Sequence, residues 1–198
     1  SGKKKKVTKI EKASLVGSLI AERAVSGGVK TCCFDRNGYL YKIDRTNGKF
    51  LYGEEISIVN WSKGFTYDGR PIWNMDKVPT YDYEAKDICP ASEGGKWWNP
   101  MTVNPETGWV FIPSREICVD IKSAPLGEGL NPDEITEGKP YWGIGTIGWN
   151  TGHGQLVAFD GKTGEKMWVV KDRSPFTSGL LSTKGGLLFA GTPEGEFR

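Results

Sequence analysis

One pattern, written twice, narrows the fold of this chain more than any other feature. Ala158-Phe159-Asp160-Gly161-Lys162-Thr163-Gly164-Glu165-Lys166-Met167-Trp168 reads as a strand, a tight turn and a second strand closed by a large aromatic. Lys42-Ile43-Asp44-Arg45-Thr46-Asn47-Gly48-Lys49-Phe50-Leu51-Tyr52 keeps the Asp, the Gly and the closing aromatic at the same spacing. Hairpins repeated with a fixed aromatic let sheets stack radially into a β-propeller. At roughly 40–50 residues per four-stranded blade, Tyr52 and Trp168 are expected to lie two blades plus an insertion apart. The chain is then expected to hold about three blades, whereas closed propellers have about 4–8.

Composition fits an all-β repeat protein. The 198 residues include 27 Gly and 8 Trp, so turns are many and large aromatics are available to lock sheets. Apolar residues make up 37% and charged residues 25%, enough for a folded core. No apolar run approaches the roughly 18 residues of a membrane span. Leu15 to Ala24 is broken by Glu22 and Arg23 and reads neither as a span nor as a signal peptide. A net charge of +2 makes no electrostatic case for nucleic acid. Lys3 to Lys6 reads as a solvated basic end.

Residues 1–28 carry the weakest pattern, and Lys9 to Ala24 fits a short helix or a degenerate strand pair. From residue 29 onward the reading is a partial propeller. Val29 to Phe34 and Tyr39 to Asp44 are expected strands about the turn Asp35-Arg36-Asn37-Gly38, since Asn-Gly suits positive φ. Lys49 to Tyr52 follows as a strand. Asn60 to Asp87 reads as a long excursion with a few short strands. Pro100 to Asn104 and Trp109 to Pro113 form a hairpin about Pro105-Glu106-Thr107-Gly108, and Lys122 to Pro140 reads as a loop. Gly154 to Phe159 with Glu165 to Val170, then Leu180 to Thr183 with Leu187 to Ala190, complete the expected hairpins.

These residues resemble the pyrroloquinoline quinone (PQQ)-dependent alcohol dehydrogenases, the family of methanol and ethanol dehydrogenases. Ala158, Asp160, Thr163, Gly164 and Trp168 match the family's tryptophan-docking motif throughout, and Lys42, Asp44, Asn47, Gly48 and Tyr52 match it in part. The resemblance extends in order through Asp35-Arg36-Asn37-Gly38, Cys89-Pro90, Gly94-Gly95-Lys96-Trp97-Trp98-Asn99-Pro100, Asn104-Pro105-Glu106-Thr107-Gly108 and Ser178-Gly179-Leu180-Leu181-Ser182-Thr183-Lys184-Gly185-Gly186-Leu187-Leu188-Phe189. It implies about three blades of an eight-bladed propeller, from a protein roughly three times longer.

The resemblance also implies roles. Arg36 matches the basic residue that hydrogen-bonds the quinone oxygens, where a fixed guanidinium stabilises charge developing on reduction. Trp97 and Trp98 match an Asn-Trp pair lying against the cofactor. Trp97 departs from Asn, which removes an amide and adds bulk, and blade packing is the competing role for both. Many members carry a tryptophan near Thr177, which this chain lacks. Cys89 and Cys118 match a disulfide common in the family, in keeping with a periplasmic location. Cys32-Cys33 lies in a different context from the family's vicinal-cysteine ring and reads as two ordinary strand cysteines.

Some parts of the family's machinery have no match. A calcium or lanthanide ion binds the quinone as a Lewis acid, and an aspartate takes the alcohol proton. No motif for either is found, so this chain is expected to hold no metal ligand and no catalytic residue. Glu11 and Glu22 lack context, and Asp76, Asp82 and Asp87 read as solvated loop. His153 reads as a surface turn residue before a strand. The expected substrate is a small primary alcohol, with hydride passing to PQQ and electrons to a cytochrome c-type acceptor. Association into a homo-oligomer, or with a complementing chain segment, would cover exposed sheet faces. The alternative is a non-catalytic propeller serving as a binding or assembly scaffold.

Overall fold

The computed structural model describes residues 31–123, 144–150 and 152–198, with the side chains of 31–36 and 144–146 left aside. The segment 1–28 and all but the first two residues of the expected loop from Lys122 to Pro140 therefore lie outside the described residues. The described part is all-β apart from one 3-10 turn, Met75–Lys77. Strands β1 (Thr31–Arg36), β2 (Tyr39–Asp44) and β3 (Phe50–Glu55) form one antiparallel sheet in chain order. Strands β4 (Ser62–Phe65) and β5 (Pro71–Trp73) form a small ribbon. Further on come β6 (Ala85–Ile88), β7 (Thr102–Val103), β8 (Trp109–Glu116), β9 (Val119–Ser123), β10 (Ile144–Trp149), β11 (His153–Asp160), β12 (Lys166–Asp172), β13 (Leu180–Ser182) and β14 (Leu188–Ala190).

Strands β7, β8, β11 and β12 make a complete four-stranded blade. Between β8 and β11 the chain leaves the blade, and β9 pairs with β10 on one side and β6 on the other in a separate three-stranded sheet. Strands β13 and β14 begin the next blade. Alternation along the strands sends side chains to two faces. Val110, Ile112, Val157 and Phe159 meet Leu40 of the first sheet and Ile56, just past β3, in one buried cluster. Phe111 and Ala158 face the other way, toward Phe176, Leu180 and Ala190.

The repeated motif is an electrostatic turn. Asp160 Oδ1 accepts the N–H groups of Lys162 and Thr163 at 2.7 and 3.2 Å. Gly164 takes φ +82 and donates to the Asp160 carbonyl at 2.8 Å. Asp44 makes the same turn, taking the Thr46 N–H and hydroxyl at 2.8 and 2.6 Å. Asn104 makes a third, accepting from Glu106 and Thr107. Hydrogen bonds from Thr46 hold the Asp44 carboxyl below the usual range, and those from the Lys162 and Thr163 backbone do the same for Asp160. A depressed folded pKa stabilises fully above the unfolded value, about 3.9 for Asp, and is lost as pH falls through the folded value. The unfolding midpoint is therefore expected to fall below about pH 4. An Asp44→Asn, Asp160→Asn double variant, which keeps acceptors as Asn104 does, should lose part of that acid sensitivity in thermal melts at stepped pH.

The two copies of the motif touch. Lys42 Nζ donates to the carbonyls of Gly161 and Lys162 at 2.7 and 3.0 Å, and the Tyr52 hydroxyl donates to Gly161 O at 3.1 Å. Tyr52 packs so closely on Gly164 that a Cβ there would come 3.0 Å from its ring. The copies thus sit on adjacent blades, one step apart rather than two. The excess sequence is taken up by the excursions that follow β3 and β8. Trp168 packs tilted on Phe111, ring centroids 5.7 Å apart, beside the cluster that includes Leu188 of β14.

Other expectations shift. Asp35 and Arg36 belong to β1, so the turn is Asn37-Gly38 alone. Asp87 is in β6 and accepts from Asn150 at 3.2 Å, so it is not a free loop carboxylate. Lys122 and Ser123 belong to β9 rather than a loop. Cys32 and Cys33 lie within β1, and their side chains fall outside the description.

Candidate functional site

Antiparallel order gives the blades two unlike ends. The turns at 44–48, 104–108 and 160–164 share the lower end, where Gly161 N–H also bonds Gly108 O at 3.1 Å. The Asn37-Gly38 turn and the exits of β3, β8 and β12 share the upper end, from which both excursions rise. A buried polar network ties the first excursion there. Gln155 Nε2 donates to Ile56 O at 2.8 Å and to Glu116 Oε1 at 2.7 Å. Glu116 Oε2 accepts the Ile58 N–H at 2.7 Å, and Ser114 Oγ donates to Ile56 O at 2.9 Å.

At this end the chain brings the Arg36 turn against the Trp97 loop. Arg36 closes β1 opposite Tyr39; its side chain is outside the description. Asn37 and Gly38 follow at φ 49 and φ +91. The Ile56 N–H bonds Gly38 O at 2.8 Å, and Trp61 Nε1 bonds Asn37 O at 3.1 Å. Gly94 and Gly95 run directly beside this turn. A Cβ on Gly95 would overlap Ser57 Oγ and lie 3.2 Å from Gly38 Cα, and one on Gly94 would lie 3.9 Å from Asn37 Cα. Two consecutive glycines are what permits the approach.

The loop is held at its start by the expected disulfide. Cys89 and Cys118 are bonded, with Cα atoms 4.5 Å apart, joining the residue after β6 to the residue before β9. The Ala91 N–H bonds Ile117 O at 2.7 Å, and Asn60 brackets Cys89 with two hydrogen bonds. From β8, the Arg115 N–H bonds Gly95 O at 2.7 Å and its Nε bonds Gly94 O at 3.3 Å. Its guanidinium lies 5.3 Å from the Trp97 ring centre and 3.5 Å from Glu93 Oε2. Burial pushes the Arg115 pKa down and the Glu93 charge opposes it; an arginine stays protonated regardless.

A cavity of about 160 Å³ opens beside this cluster, with Trp97, Arg115, Ser114, Phe176 and Thr177 in its walls. Trp97 is 49% exposed and Trp98 75%, their rings edge-on at 5.8 Å. Neither is packed into the blade core of the described residues. Asn99 Nδ2 donates to Phe176 O at 2.8 Å and so fixes the facing wall. Arg36's turn, Trp97, Trp98 and Thr177 are thus gathered at one end, and Trp97 and Thr177 share one cavity.

His153 departs from expectation: it begins β11 opposite Glu116 and is half-buried, with Nε2 buried and unbonded among the described residues. It is not a wall of the cavity. Arg115, Ser114 and Phe176 are among the wall residues sequence reasoning missed. The run Pro113-Ser114-Arg115-Glu116, polar at the end of an otherwise apolar strand, was the available signal.

The donor set can be tested against two groups. Aromatic walls, a guanidinium and hydroxyls suit a planar, oxygen-rich ring system. For a metal ion, Asp87, Cys89 and Cys118 are the only such ligand cluster among the described residues, and both sulfurs are spent in the disulfide. The described residues do not fit a calcium or lanthanide ion, which requires several oxygen ligands.

No protein-family profile matches the chain. The quinoprotein alcohol dehydrogenase PedH of Pseudomonas putida is 40% identical over 176 residues, covering 81% of this chain and 27% of that protein. A lanthanide-dependent methanol dehydrogenase of Methylacidiphilum fumariolicum is 31% identical over 193 residues, 92% of this chain and 30% of the relative. Among solved structures, a europium-containing methanol dehydrogenase superposes with a TM-score of 0.73 at 29% identity, covering 84% of this chain and 29% of that one. The quinohemoprotein alcohol dehydrogenase from Comamonas testosteroni superposes with a TM-score of 0.64 at the same identity. The chain spans under a third of the length of these relatives. In motif order, in blade architecture and in residue identity, it belongs to the quinoprotein alcohol dehydrogenase family.

Proposed function

We propose that this chain supplies one side of the quinone site of a PQQ-dependent alcohol dehydrogenase. The observation that carries the reading is the approach of the Asn37-Gly38 turn to Gly94-Gly95, which sets Arg36 beside the loop bearing Trp97 and Trp98. Bound PQQ would accept the hydride equivalent of a small primary alcohol. Arg36 would hold a positive charge where the quinone oxygens become negative, and Trp97 and Trp98 would exclude water from the ring face. The catalytic base and the calcium or lanthanide ligands would come from outside this chain. Electrons would leave to a cytochrome c-type acceptor. The Cys89–Cys118 bond suits an oxidising compartment and supports a periplasmic setting.

Titration calorimetry with PQQ, in calcium or a lanthanide, tests this. Saturable binding is expected, weakened at least tenfold by Arg36→Ala, as for loss of a charge-assisted hydrogen bond worth about 1.5–3 kcal/mol. The scaffold alternative gains from Trp97 standing where the family has Asn. Absence of PQQ binding, with the remaining blades supplied as well, would overturn the dehydrogenase reading in its favour.

A further inference from the structure

We propose that Arg115 is a positioning residue of this cavity, holding Trp97 as the flat wall against which a planar, carboxylated quinone lies. The inference rests on the quinone-site reading. Gly94 and Gly95 have no side chains with which to anchor the loop, so its place is set by whatever grips its carbonyls. Arg115 grips both, through its own N–H to Gly95 and its Nε to Gly94. The same guanidinium pairs with Glu93 at 3.5 Å and covers the Trp97 ring at 5.3 Å. It therefore meets three parts of the loop at once, from a strand that cannot shift easily. Residue 115 lies opposite Gly154 in the β8–β11 ladder, and Gly154 itself has no room for a side chain against Ser174 and Pro175.

The facing wall is just as fixed. Phe176 is buried, and its carbonyl is bonded to Asn99, two residues after Trp97. Two walls of the cavity are thus fixed, the Trp97 ring by a guanidinium and the Phe176 backbone by an amide. A lysine at 115 is a point charge on a flexible stem. It can keep a cation near Trp97, but it lacks the planar fork that reaches a backbone carbonyl and a carboxylate together.

The test measures PQQ binding by calorimetry and acrylamide quenching of tryptophan fluorescence. The variants are Arg115→Ala, Arg115→Lys, Trp97→Phe and the double variant Arg115→Ala, Trp97→Phe. Arg115→Ala is expected to weaken PQQ binding about tenfold, the effect of roughly one neutral hydrogen bond, and to increase quenching. Arg115→Lys should restore only part of both. The gain in quenching should vanish in the Trp97→Phe background, which assigns it to that ring and not to general loosening. If Arg36→Ala weakens PQQ binding and neither Arg115 variant does, the positioning role is overturned and the quinone reading stands. If the unsubstituted chain with its remaining blades binds no PQQ, both fall.

Discussion

Replacing Cys89 and Cys118 together by serine is expected to lower unfolding stability by about 3–4 kcal/mol, the loop-entropy value for a cross-link of this span. The bridge closes a separation of 29 residues. That loop contains Gly94, Gly95 and Trp97 as well as all of β7 and β8. Opening it frees in the unfolded chain the stretch that must later be laid against the Asn37-Gly38 turn. Total stabilities of about 5–15 kcal/mol are usual for folded domains, so the loss is a large share. Guanidinium unfolding of the double variant, beside the parent with and without reductant, measures it. Reductant should bring the parent down to the variant and leave the variant unmoved. A difference under about 1 kcal/mol would mean that the bonds around Ala91 and Asn60 hold the loop without the bridge.

Phe159→Ala is expected to cost about 3–5 kcal/mol, the range for deleting a fully buried aromatic. Its side chain is completely enclosed among Leu40, Ile56, Val110, Ile112 and Val157, between the first sheet and the four-stranded blade. The cavity would open at the joint between two blades, so their separation should loosen together with overall stability. Phe197→Ala is the control. That ring is 74% exposed and stacks on Phe189 at 5.4 Å. Its loss should stay near the surface-substitution range of about 0.5 kcal/mol. Denaturant midpoints of both variants, read at unchanged slope, test the contrast, and equal losses would contradict the assignment of the core.

Where local chemistry dictates geometry, the sequence was readable. Asn37-Gly38 gave the first hairpin because positive φ at both positions leaves few alternatives. Asp160 and Gly164 gave the clearest one because an acceptor two residues before a chain of N–H groups closes the turn by itself. Strands β9 and β10 had no such signal. Their sheet is completed by β6, far back in the chain and paired with β9, and Val119 to Ser123 is too short to announce itself by alternation. The spacing of the two motif copies was misread because sequence distance does not separate blades from excursions; the Tyr52–Gly161 contact does. Gly152-His153-Gly154 looked like a turn for a related reason. Its glycines answer crowding by Glu116 and Ser174 carbonyls, not a reversal of the chain. Motif resemblance singled out Arg36, Trp97 and Trp98, whose segments the fold gathers at one end. Arg115 and Phe176 were not singled out, since each gains its role from segments brought together only on folding.

Strands β8 and β11 pair without a slip from Glu116 opposite His153 down to Trp109 opposite Asp160, although the chain leaves the blade between them. For a flexible connection, each doubling of length costs only about 0.6 kcal/mol in closure entropy. The blade is therefore nearly indifferent to what is carried on that detour. Below, Lys42 and Tyr52 couple one blade to the next through backbone carbonyls, so that end tolerates little redrafting. Such an arrangement separates a tightly coupled chassis from an appended headpiece. Changes in the upper segments can remodel access to the cavity while the β8–β11 register beneath stays as it is.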